Sequence, residues 1–213
     1  MPELPEVEVV RLGLSPAVTD AVISGVEVFD SRALTRHDGD ASDFEARLAG
    51  RRIVGAARRG KFLWMPLSPG GAAGTGDPAG EALVAHLGMS GQLLLPAPGA
   101  EDGRHLRVRV GLEHPEHGEL RVDFVDQRTF GSLAIDGLVP TADGAPAGWG
   151  AGEALVPSQV AHIARDPLDA AFDERRFVDV LARKNSAIKR VLLDQTVISG
   201  VGNIYADEAL WAA

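Results

Sequence analysis

Arg52-Ile53-Val54-Gly55-Ala56-Ala57-Arg58-Arg59-Gly60-Lys61-Phe62-Leu63-Trp64-Met65-Pro66-Leu67 holds two short apolar runs on either side of a basic turn. Residues Arg52–Ala57 and Phe62–Leu67 have the length and composition of strands, and Gly60 punctuates the turn between them. The pattern repeats outward. Val22–Phe29 precedes it, and Ala82–Leu87, Gln92–Leu95, Leu106–Leu112, Leu120–Val125 and Ser132–Ile135 follow, each bounded by Gly, Pro or Asp clusters. Short strands turned at such close intervals predict two packed sheets rather than a parallel α/β domain.

Helical patterns lie at both ends. Val7, Val10 and Leu14 form one apolar face of a first helix, and Asp43–Leu48 reads as a short second one. Beyond Asp166, Asp173 can cap a helix holding Phe177, Val178 and Leu181. Ser186 can cap one holding Ile188, Val191 and Leu192, and Asn203 one running through Ala213. Asp194–Gly202 reads as a turn. The Gly/Ala/Pro-rich stretches Ser68–Gly80 and Thr141–Gly152 read as a flexible loop and an interdomain linker. The expected fold class is α+β: a two-sheet β-sandwich with flanking helices over 1–138, a linker over 139–165 and a helical domain over 166–213.

The chain of 213 residues, 45% hydrophobic, suits one large or two small domains. No apolar run approaches the roughly 18 residues that span a bilayer, and the N-terminus lacks a signal pattern, so a soluble cytosolic protein is expected. With no cysteine and six scattered histidines, no metal site is expected within the chain. The 21 Lys and Arg against 30 Asp and Glu give a net charge of −9, which argues against a protein that coats nucleic acid. Locally, Arg51, Arg52, Arg58, Arg59 and Lys61 cluster, and a polyanion responds to the distribution of charge rather than its total.

Four stretches carry chemistry. Removal of Met1 from Met1-Pro2-Glu3-Leu4-Pro5-Glu6-Val7-Glu8 would free the secondary amine of Pro2. An α-amino group with a pKa of about 7.7–8.0 is roughly 10% neutral at pH 7, a ready nucleophile beside the carboxylates of Glu3 and Glu6. The same residues read equally as an ordinary helix start. His86-Leu87-Gly88-Met89-Ser90-Gly91 turns at two glycines and puts a flexible Met89 at its tip. In Asp126-Gln127-Arg128-Thr129-Phe130-Gly131, Arg128 offers a fork of donors and Phe130 a wedge; two positions apart, they would share one side of an extended segment. Finally, Lys184-Asn185-Ser186-Ala187-Ile188-Lys189 and Gly200-Val201-Gly202-Asn203-Ile204-Tyr205 make two helices about a glycine turn, with Asn203 at a helix start suited to phosphate. An Asn-capped helical hairpin is the plain alternative.

Together and in this order, these motifs resemble the bacterial formamidopyrimidine-DNA glycosylases along the whole chain. The resemblance implies an enzyme of base-excision repair that removes oxidised purines such as 8-oxoguanine and formamidopyrimidines and then cleaves the abasic site by β,δ-elimination. It assigns Pro2 as Schiff-base nucleophile, Glu3 as acid/base and Lys61 as a phosphate contact that assists elimination; Glu6, beside the same amine, joins them as a catalytic candidate, and Glu3 would need its carboxylate tuned to be protonated near pH 7. Met89, Arg128 and Phe130 would support the extruded nucleotide's gap, and Lys184, Asn203 and His105 would contact DNA through a helix-two-turns-helix module. The implied partner is damaged double-stranded DNA, met by a monomer in the bacterial cytoplasm near the nucleoid. Two departures stand out: Gln127 and Thr129 differ from many relatives, and relatives continue past Ala213 with further helices and a four-cysteine ribbon binding one zinc ion. That ribbon's absence here leaves a DNA-binding fragment of reduced catalysis as one alternative; the sister glycosylases of oxidised pyrimidines are another, against which Leu4, Arg128 and Phe130 argue.

Overall fold

A computed structural model describes residues 2–68 and 80–213. Helix α1 spans Leu4–Val18, with Pro5 near its start, where its missing N–H costs nothing. Strand β1 (Val22–Val28) and helix α2 (Ala41–Leu48) follow. Then come β2 (Ala57–Arg59), β3 (Phe62–Leu67), β4 (Glu81–His86), β5 (Gln92–Leu94), β6 (Leu106–His114), β7 (Gly118–Val125), β8 (Ser132–Pro140) and β9 (Leu155–Pro157). Helices α3 (Glu174–Arg183), α4 (Ile188–Leu192) and α5 (Asn203–Ala212) complete the chain. The strands form two antiparallel sheets, ordered β1-β6-β7-β5 and β2-β3-β4-β8-β9.

The strand alternation decides what faces what. Leu63, Met65 and Leu67 of β3 join Leu83, Val110, Phe124 and Leu133 in a core between the sheets, closed by Val7, Leu14 and Val18 of α1 and by Phe44 and Leu48 of α2. Phe62 and Trp64 point the other way into a second core with Val84, Leu138, Val156, Val160 and Ile163.

That second core is why residues 139–165 do not behave as the expected linker. Their backbone supplies β9, which pairs with β8, and their side chains cover the outer face of the second sheet. Leaving Trp64, now wholly buried, to solvent would forfeit on the order of 2–3 kcal/mol. The Ser68–Gly80 loop expectation lies mostly outside the described residues.

The first hairpin also differs in detail. Arg58 and Arg59 belong to β2, not to the turn, and Arg59 pairs with Phe62 across a tight turn made by Gly60 and Lys61. Gly60 has φ +56, which only glycine adopts freely. The expected strand Arg52–Ala57 is reduced to isolated bridges at Arg52 and Ile53. In the helical part Asp173 caps α3 through the N–H of Arg176, as its position predicts. Ser186 does not cap α4, whose N-cap is Ala187 with no side-chain bond.

Candidate active site

The N-terminus is stitched to the start of α5. Glu3 is buried, and its carboxylate accepts backbone N–H groups from Gly202 (2.9 Å), Ile204 (2.9 Å) and Tyr205 (3.1 Å). The N–H of Leu4 donates to Gly200 O at 3.0 Å. The first-turn donors of a helix have no internal partners, and Glu3 satisfies them while meeting the positive end of the helix dipole. Gly200, at φ +85, and Gly202 leave the room: a Cβ at Gly200 would press on Leu4, and one at Gly202 on the Glu3 carboxylate. Glu6 completes the corner, its Oε2 accepting the N–H of Glu3 at 3.0 Å.

Lys61 enters from the β2–β3 turn. It is largely buried, and Nζ donates to Val201 O at 3.0 Å, a carbonyl also reached by Gln195 Nε2 at 3.0 Å. Burial lowers the Lys61 pKa, and the charges of Glu3 and Glu6 only partly oppose it. For Glu3, burial pushes the pKa up, but the N–H groups of Ile204, Tyr205 and Gly202, with Lys61, leave it below the ordinary carboxylate value. The expectation of a carboxylate tuned for protonation near neutrality is thereby corrected: three N–H donors select the anion. Half-buried Pro2 thus precedes a carboxylate, with Lys61 in electrostatic reach of the same group.

Asn203 does not cap α5. It is the first helical residue, exposed, while Gly202 takes the cap position and the Glu3 carboxylate does the capping. The helix N-terminus proposed for phosphate is therefore occupied by the chain's own anion. Lys184 ends α3 exposed and pairs with Asp194 at 3.3 Å.

The cluster Arg51, Arg52, Arg58, Arg59 and Lys61 is not an open basic patch. Arg58 is fully buried between Asp166 (2.9 Å) and Glu8 (2.8 Å), Arg51 pairs with Glu81, and Arg59 donates to Ala147 O and Ile163 O. Arg52 alone of the five is exposed. Burying a guanidinium demands partners, so these arginines tie α1, the second sheet and the 140–166 segment together instead of facing solvent.

Two loops at the far ends of β4 and β7 carry Met89, Arg128 and Phe130. Met89 is 46% and Phe130 62% exposed. Arg128 Nη1 lies 3.6 Å from Met89 Sδ. Arg128 and Phe130 do not share an extended segment: Thr129 has φ +56, and the stretch is a turn closed on the Asp126 carboxylate. Gly88 and Gly131 meet backbone to backbone, since a Cβ on Gly88 would fall 2.6 Å from Gly131 N. His105 sits half-buried beside this loop, its carbonyl accepting the N–H of Asp126 at 3.0 Å.

Sequence reasoning missed Asp126, the Arg58–Asp166 pair and His86. Burial, then the charges of Arg36 and Lys61, lowers the His86 pKa to about 4. Its ring packs on Phe62 at 4.9 Å. A readable signal existed for Asp126, because Asp closing a turn on the N–H two residues ahead is a common local motif. None existed for Asp166, whose partner lies 108 positions away.

A family model for the formamidopyrimidine-DNA glycosylase N-terminal domain matches residues 1–133, and one for the formamidopyrimidine-DNA glycosylase H2TH domain matches residues 163–213. The chain belongs to the formamidopyrimidine-DNA glycosylase family. It is 64% identical to the formamidopyrimidine-DNA glycosylase of Leifsonia xyli subsp. xyli, covering 100% of this chain and 69% of that one. The Thermobifida fusca enzyme is 52% identical, with 99% and 66% covered. The chain thus spans about two thirds of the length of these curated relatives. Among solved structures, the Lactococcus lactis formamidopyrimidine-DNA glycosylase non-covalently bound to DNA with an AP site superposes with TM-score 0.72 at 26% identity, covering 98% of this chain and 68% of that one. A complex of the same enzyme with abasic-site DNA gives 0.73 at 26% identity, with 98% and 66% covered. Formamidopyrimidine-DNA glycosylases thus share this chain's two sheets and helical module. The sequence has no cysteine, and the described residues hold no group of three or more His, Asp or Glu placed for a metal ion. No helix among them is long and apolar enough to cross a membrane.

Proposed function

We propose that this chain is a DNA glycosylase and AP lyase acting on oxidised purines in double-stranded DNA, through the amine of Pro2. The observation that carries the reading is that Glu3, next to Pro2 in the chain, and Lys61 both bond to the Gly200–Tyr205 turn, an arrangement that supports a Pro2 amine acting beside an anion and a cation.

In this reading the Pro2 nitrogen attacks C1′ of the damaged nucleotide as the base leaves with its bonding electrons, and the C1′–O4′ bond then breaks, O4′ taking a proton, to give the ring-opened iminium. The ionised Glu3 receives the proton that the Pro2 ammonium must lose, and its negative charge steadies the developing cation. Protonating the sugar ring oxygen then falls to Glu3 only after that transfer. Proton loss from C2′ expels the 3′ phosphate, and a second elimination expels the 5′ phosphate; Lys61 offsets charge on the departing phosphate. Met89, Arg128 and Phe130 occupy the gap left by the extruded nucleotide, whose unstacking costs a few kcal/mol, and Lys184, Asn203 and His105 contact the backbone. The family membership supports these assignments, and the proximity of Met89 to Arg128 supports the shared role of the two loops.

The test is borohydride trapping with Met1-processed protein on duplexes holding 8-oxoguanine or an abasic site, followed by peptide mapping. A covalent adduct at Pro2 is expected. Failure of the processed chain to trap on either duplex would overturn the reading in favour of a non-catalytic DNA-binding module.

A further inference from the structure

Asp126 directly follows β7 and is completely buried, beneath two loops whose tips are exposed. Its carboxylate accepts three protein donors: Ser90 Oγ at 2.5 Å, Arg128 N at 3.0 Å and Gly131 N at 2.8 Å. Ser90 neighbours Met89, whereas Arg128 and Gly131 bracket Phe130, so one carboxylate joins both loops. Its backbone is held as well. Asp126 N donates to His105 O, and Asp126 O accepts Arg107 Nε at 2.8 Å; Arg107 Nη1 is itself fixed by Asp30 at 2.9 Å.

A buried charge is expensive unless hydrogen bonds compensate it, and an ordinary surface turn needs none. Burial alone would raise the Asp126 pKa, yet the bonds from Ser90, Gly131 and Arg128, with the nearby backbone N–H of Phe130, bring it below the ordinary value. The turn they close forces Thr129 to φ +56, an unusual conformation for a β-branched residue. Strain of this kind persists where the surroundings over-determine it.

We infer that Asp126 is a positioning residue: its buried carboxylate locks the 88–91 and 126–131 loops together, so that Met89, Arg128 and Phe130 are preset to enter a duplex at the gap left by a missing base. This rests on the part of the proposed function that has the chain bind damaged duplex DNA, not on its catalysis. Presetting matters because ordering each long side chain on binding would otherwise cost about 0.5–1.5 kcal/mol. Asp126→Asn keeps the shape but turns one acceptor into a donor facing Ser90 or a backbone N–H. Ser90→Ala removes a single bond.

The test needs no catalysis. A duplex with a tetrahydrofuran abasic analogue and 2-aminopurine in the opposite strand reports side chains entering the stack. The wild-type chain is expected to change the fluorescence on binding. Asp126→Asn should weaken binding about tenfold, the size of one or two lost charged hydrogen bonds, and reduce the amplitude at saturation; Ser90→Ala should do so more weakly. In a Met89→Ala/Arg128→Ala background, where the tips are gone, Asp126→Asn should cost less than about twofold, because residues acting as a unit are non-additive. Equal losses in both backgrounds, no loss in either, or no fluorescence change with the wild type would overturn the inference. A wild-type fluorescence change without borohydride trapping would instead sink the glycosylase reading and leave the positioning role standing.

Discussion

The carboxylate of Glu3 accepts the backbone N–H of Ile204 at 2.9 Å across 201 positions of sequence. Two further N–H groups, from Gly202 and Tyr205, make the same carboxylate the cap of α5. One side chain therefore serves the proposed chemistry and fastens the first residues to the helical module.

Replacing Glu3 by Gln should lower stability by about 1–2 kcal/mol, the usual worth of a helix cap, in urea unfolding at pH 7. The Glu3 pKa is lowered in the folded state, so its contribution is present above the unfolded value of 4.5 and fades as pH falls through the folded value. The gap between wild type and Glu3→Gln should therefore close in acid. A gap that widens below pH 4.5 would show that the anion does not cap α5.

Lys61→Met should leave stability unchanged or raise it by up to about 1 kcal/mol while sharply reducing trapping on abasic DNA. The burial that lowers the Lys61 pKa makes its charge costly in the folded protein, and that cost is full below the folded pKa and fades as pH rises from there to the unfolded value of 10.5. The Val201 carbonyl keeps its bond from Gln195, so nothing buried is left unpaired. Paired thermal melts and borohydride gels would check both halves; a strongly destabilised variant would argue that Lys61 is structural.

His86 should titrate near pH 4 by NMR, well below the ordinary histidine value of 6.5. Because its folded pKa is lowered, the unfolded chain binds more protons between about pH 4 and 6.5, and stability falls with acid across that window. His86→Phe should flatten the decline. An unchanged slope would place the acid sensitivity elsewhere.

Asp166→Ala should cost about 3–5 kcal/mol in denaturant unfolding, since it strips one partner from a fully buried Arg58. Combining Asp166→Leu with Arg58→Met should recover part of that loss. Additive losses in the double variant would mean that the pair is not coupled.

The sequence alone determined most of the strands, because alternation, β-branched runs and Gly or Asp punctuation act over a few residues; β9 and the loss of the expected strand Arg52–Ala57 were not legible. Asp173 as a helix cap is legible for the same reason. The candidate site residues were legible as short motifs in a familiar order, each carried by neighbours in the chain. Tertiary structure decided the rest. Arg58 and Arg59 read as free basic residues, yet their partners Asp166, Ala147 and Ile163 come from far along the chain. Residues 139–165 look like a linker until Phe62 and Trp64 need covering. Asn203 looks like the cap of α5 until the fold delivers Glu3 to that helix end and leaves its carboxylate ionised. Local pattern fixes which elements form, but burial and charge pairing depend on which distant groups arrive, and those contacts leave no periodicity to read.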